Sequence, residues 1–160
     1  MVAAVADGTI DMIATDHAPH DPHSKRMERL SPVFSLARDC GRLPEAEVEA
    51  LTQAANGVVG LETTLGLMLD LVHRGVIGPA RMVEMMSLKG AQLLRIDGGT
   101  LEESSRADIT LIDPNMDWTV DPAKFISKSR NSPFAGRRLK GKAMLTIVAG
   151  DIVYDGRTQA

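Results

Sequence analysis

The stretch "IATDHAPH", residues 13–20, sets one carboxylate and two imidazoles within five positions, directly behind an apolar run. A carboxylate at the end of a parallel strand points into the crevice where α/β folds build their sites. Asp16 takes that position if Ile10–Thr15 is such a strand. There it can ligate a metal or accept a proton from an activated water. His20, held beyond Pro19, can donate a hydrogen bond to an anionic substrate, and His17 can orient Asp16 or line the loop. The plainer readings stand beside these: an Asp after a strand is a common turn residue, and loop histidines are often only solvated. A free-standing zinc site of His17, His20 and His23 needs helical spacing, which Pro19 and Pro22 deny.

The elements that must position this cluster are legible in outline. Ile10–Thr15 is near-continuously apolar, as in a parallel strand covered by helices. Residues 24–53 form an excursion of two expected short helices, opened at Ser31-Pro32 and Pro44, with Cys40 at a helix end. Asn56-Gly57 breaks the chain. Gly57-Val58-Val59-Gly60 precedes a helix, either as a structural turn or as a source of N–H groups for an anion. Leu61, Leu65, Met68, Leu69 and Val72 recur at helical spacing, and Gly75 stops that helix. Pro79 opens another, carrying Met82, Val83, Met85 and Met86, and Ser87 is placed to cap a further turn through Leu93 and Leu94. The texture changes at Gly99. A strand is expected over Ile109–Ile112, closed by Asp113-Pro114, and a tight hairpin joins Met144–Val148 to Ile152–Tyr154 through Ala149-Gly150-Asp151. These readings place helices and one strand in 1–98 and a β-module in 99–160.

The bulk properties narrow the function. The chain has 160 residues, a net charge of −3 and 3% aromatics. The mild, mixed charge gives no case for nucleic acid or an anionic membrane. The basic stretch from Lys128 to Lys142 holds only Phe134 as an aromatic and reads as a solvated loop. The single cysteine cannot form an internal disulfide, which suits a reducing compartment. No apolar run reaches the roughly 18 residues of a membrane helix, and residues 1–6 lack the basic flank of a signal peptide. A cytoplasmic protein is expected.

"DGTIDMIATDHAPH" resembles the end-of-barrel signature of dihydroorotases, within the amidohydrolase superfamily. "NGVVGLETTL", "ADITLIDPN", "WTVDPAKFISKSRNSPFAGRRLKGK" and "TIVAGDIVYDG" resemble, in the same order, the rest of the C-terminal half of those enzymes. The excursion alone stands outside the likeness, and the family carries a glycine near Ser104-Ser105. The resemblance implies an α/β fold: the last strand and helices of a metal-dependent (β/α)8 barrel, plus part of a composite β-sandwich. It implies interconversion of N-carbamoyl-L-aspartate and L-dihydroorotate in pyrimidine biosynthesis, with one or two zinc ions. Asp16 would be the metal-associated catalytic acid/base, His20 would bind the substrate carboxylate, and Asn56 and Gly57 would contact the ring through backbone groups. Homodimers are a further implication; the alternative readings are a non-catalytic dihydroorotase-like chain that serves as a structural partner of aspartate carbamoyltransferase, and another cyclic amidohydrolase such as allantoinase. Allantoinases and hydantoinases share the aspartate but differ in the residues after it.

The family's other zinc ligands, an His-x-His pair, a bridging carboxylate and further histidines, are not in this sequence. The chain by itself is therefore expected to be the C-terminal part of such an enzyme and inactive alone.

Overall fold

A computed structural model of the chain describes residues 1–21, 52 and 55–158. The helices expected within 24–53, Cys40 and His23 lie outside them. The chain divides into two compact units: one of residues 1–15, 63–120 and 136 onward, the other of residues 16–62 and 121–135.

The first unit is α/β. Short helix α1 (Val2–Ala6) precedes α2 (Leu61–His73, whose first two residues, Leu61 and Glu62, belong to the second unit), α3 (Pro79–Val83) and α4 (Lys89–Leu94), with a π-helical turn at Glu84–Leu88. In α2 the expected stripe is realised, and Met68 and Leu69 are buried. The helix stops as anticipated. Gly75 adopts φ +69, its N–H bonds to the Val72 carbonyl, and the Val76 N–H reaches back to Leu71, both at 2.9 Å; this is a Schellman closure around a left-handed glycine. Pro79 occupies the first turn of α3, where its missing N–H costs nothing. Ser87 is not a cap. It lies inside the π-turn, and the helix runs through it into α4. Leu93 and Leu94 are exposed rather than core. At the end of α4 the left-handed position is filled by Arg95, φ 54.

Val5, Met68, Leu69, Ile77, Met82 and Met85 form the core, with Ile10, Ile13 and Ile112 packed on it. Residues 10–15 belong to no strand. A parallel strand needs a neighbour to pair its N–H and C=O groups, and the described residues offer none. Instead the Ile13 N–H bonds to the Met85 carbonyl at 3.1 Å, and Arg81 Nη2 donates to the Ile10 carbonyl at 3.0 Å.

Three antiparallel strands, β1 (Ile109–Thr119), β2 (Arg138–Val148) and β3 (Asp151–Asp155), make an open sheet in the order β1-β2-β3. Pro114 does not end β1. The strand bulges between Asp113 and Asp117 and pairs again at Asp117 with Lys140, and a bulge on an edge strand is a setting in which a ladder accepts proline. The basic residues 138–142 are not loop but the first half of β2, and Lys142 lies 5.8 Å from the Trp118 ring centre. Gly141 lets the sheet close on α2, since a Cβ there would stand 2.1 Å from Leu69 Cδ1. The β2–β3 hairpin turns through Ala149 (φ 51) and Gly150 (φ 92), the left-handed pair of a type I′ turn.

Candidate active site

The second unit gathers the loop 16–20, the turn 57–62 and the segment 127–131. Asp16 sits at φ 44, a left-handed conformation that aspartate tolerates better than most residues. Its carboxylate is exposed and meets no hydrogen-bond donor among the described residues. Immediately after it, His17 forms a parallel bridge with Val58, and the Ala18 N–H donates to the Val58 carbonyl at 2.9 Å. The two loops therefore lie side by side at backbone distance. Glycine is required at 57 for this approach: its φ is +101, and a Cβ would stand 2.4 Å from Ala18 Cβ.

His17 turns its imidazole onto the start of α2. Nδ1 accepts from the backbone N–H of Gly60 at 3.2 Å and of Leu61 at 3.3 Å. Backbone amides only donate, so in this arrangement the ring proton resides on Nε2, which faces Ser127 Oγ at 3.4 Å. The first N–H groups of a helix have no partner within it, and here an imidazole supplies one. They are thus engaged by His17 rather than offered to an anion.

Residues 127–131 brace the turn from the other side. Ser127 N–H donates to Glu62 Oε1 at 2.9 Å. Glu62 also sits in the first turn of α2, where the helix dipole favours a carboxylate; its second oxygen is buried and meets no hydrogen-bond partner among the described residues. Asn131 Nδ2 donates to the Gly57 carbonyl at 2.8 Å, and the Asn131 carbonyl accepts from the Val59 N–H at 2.8 Å. The Arg130 guanidinium caps the Ser127 and Ser129 carbonyls.

Of the residues singled out in the sequence, His20 and Gly57 come together: a Cβ on Gly57 would lie 3.7 Å from His20 Nε2. Asn56 is exposed beside Gly57, and His20 is half-buried. Ser127, Glu62 and Asn131 are additions that sequence reading missed. The only signal was the short polar run Ser127-Lys128-Ser129-Arg130-Asn131, read there as part of a basic loop. A zinc centre does not fit the described residues alone. No three of their His, Cys, Asp and Glu side chains cluster to hold a metal, and both nitrogens of His17 are committed, which removes it from any three-histidine site.

The model of the amidohydrolase family matches residues 1–153. A dihydroorotase from Citrifermentans bemidjiense is 44% identical over 154 residues, covering 96% of this chain and 31% of that protein. One from Geobacter metallireducens is 46% identical over 151 residues, covering 94% of this chain and 30% of its own length. Among solved structures, an L-hydantoinase (dihydropyrimidinase) from Arthrobacter aurescens superposes with a TM-score of 0.78 at 31% identity, over 97% of this chain and 31% of that one. The chain therefore spans about a third of the length of the relatives it matches.

Proposed function

Since this chain belongs to the amidohydrolase family, we propose that it works as the C-terminal part of a dihydroorotase, interconverting L-dihydroorotate and N-carbamoyl-L-aspartate. In this reading residues 1–98 complete a (β/α)8 barrel and residues 99–160 contribute to a β-sandwich beside it. The observation that carries it is the loop 16–20 itself: an exposed Asp16 carboxylate with His20 beside Gly57.

The chemistry follows from those groups. Asp16 accepts a proton as water attacks the cyclic amide carbonyl. The C–N bond of the tetrahedral intermediate breaks, Asp16 returns that proton to the leaving ring nitrogen, and the water's other proton leaves the new acid to solvent, so that the opened product carries a new carboxylate. His20 donates to the substrate's own carboxylate, and backbone groups of Asn56 and Gly57 meet the ring. Zinc, one or two ions, enters this proposal as a cofactor that Asp16 would touch. The described residues do not hold it by themselves, and every step above is carried by protein groups and water.

Identity favours dihydroorotase over hydantoinase, at 44% against 31%; the structural likeness keeps hydantoinase chemistry as the second reading. A non-catalytic partner of aspartate carbamoyltransferase is disfavoured by the intact Asp16 and His20, and failure of the two proteins to co-purify would weigh further against it. The test is a hybrid in which this chain replaces the matching part of the Geobacter metallireducens enzyme. Turnover of dihydroorotate in preference to hydantoins is expected. A preference for hydantoins would transfer the assignment, and an inert but folded hybrid would overturn it.

A further inference from the structure

We propose that His17 is a positioning residue: it ties the Asp16–His20 loop to the Gly57–Leu61 turn and so sets the spacing between His20 and the Gly57 backbone. The inference deepens the reading of this loop as a substrate site and rests on it for its kinetic consequence.

Three observations carry it. First, the His17 ring bonds at both ends, through Nδ1 to the Gly60 and Leu61 amides and through Nε2 to Ser127. A ring held on two sides has one orientation and one tautomer, so it fixes the chain on both sides of it. Second, the two loops meet at the parallel bridge of His17 with Val58, whose Ala18–Val58 hydrogen bond is 2.9 Å long, and a side chain that spans from one loop to the other adds a directional tie to that register. Third, the approach that the tie maintains is close enough to exclude any side chain at 57, and it leaves His20 Nε2 facing that position. Asp16 needs no such contact to be exposed. His17 therefore governs substrate placement more than the proton transfer itself. Because its Nδ1 lone pair is occupied, it acts neither as a base nor as a metal ligand.

Substitution separates these roles. His17→Asn keeps an acceptor near the Nδ1 position, whereas His17→Phe keeps the ring and removes both polar contacts. On the full chain, amide exchange and imidazole nitrogen resonances are measured. The wild type is expected to show a bare Nδ1 and a protonated Nε2. In His17→Phe the Gly60 and Leu61 amides exchange at least ~10-fold faster, and the proximity signal between the Ala18 methyl and the Gly57 α-protons is lost. His17→Asn retains most of both. A protonated Nδ1, or unchanged exchange in His17→Phe, overturns the tie.

In the hybrid enzyme, His17→Phe is expected to raise KM for dihydroorotate about 10-fold while kcat stays within about 3-fold, with His17→Asn restoring KM. A loss confined to kcat, or equal damage from Phe and Asn, overturns the positioning role. A wild-type hybrid without turnover would remove the dihydroorotase reading itself, and the exchange and proximity measurements on the full chain would still decide whether His17 sets the spacing.

Discussion

In the core that holds Met85, six buried apolar side chains, its own among them, on α1, α2, the following turn, α3 and the π-turn exclude water. Around His17, order comes instead from single hydrogen bonds, several of them between residues more than 40 positions apart. Burial is non-directional: a methionine can be traded for a leucine of similar volume and the core closes again. A hydrogen bond is directional, and losing one partner leaves the other stranded. The first arrangement is suited to stability. The second is suited to fixing a few atoms, which is what a site requires.

That contrast can be broken at several points. Met85→Ala should cost about 2–5 kcal/mol, seen as a lower urea midpoint in the fluorescence of the lone tryptophan, Trp118; Met85→Leu should recover most of it. Gly57→Ala should cost less, about 1–3 kcal/mol, because the added Cβ meets Ala18 at 2.4 Å with φ already +101. Its signature should be faster exchange at the Ala18 and Val59 amides. Two further substitutions should stabilise. Arg95 and Ser104 hold φ 54 and φ 66, and glycine at either should gain about 0.5–1 kcal/mol in thermal or urea unfolding.

The smallest effect concerns a surface pair. Asp155 is held at about 2 by hydrogen bonds from the Arg157 guanidinium, opposed by partial burial. A depressed folded value means that the pair contributes above the ordinary carboxylate range and that its contribution is lost as pH falls toward 2. Titration by carboxyl-carbon resonance should show that midpoint, and Arg157→Ala should raise it toward the ordinary range, the backbone N–H at 157 still donating to Asp155 Oδ1.

Where local chemistry decides, the sequence was readable: the apolar stripe and terminal glycine of α2, proline opening α3, and the Ala149-Gly150 turn. Where pairing at a distance decides, it was not. Pro114 looks like a strand end because nothing local announces a bulge. Residues 138–142 look like loop because their charges hide the inward Leu139 and Gly141. Ile10–Thr15 looks like a strand because its apolar pattern says nothing of whether a neighbour pairs with it, and none does among the described residues. The site divides the same way. Asp16, His20 and the Asn56-Gly57 break were recognisable as motifs, whereas Ser127 meets His17 across 110 positions and was marked only by a short polar run.

The most direct test of the central claim is Asp16→Asn in the hybrid enzyme, with dihydroorotate hydrolysis and the urea midpoint measured together. Loss of about 10²–10⁴-fold in kcat, with the midpoint unchanged, is the expected result for an exposed carboxylate that moves the proton. Full activity in the variant would contradict the assignment of Asp16, and with it the reading of this loop as the reactive end of the molecule.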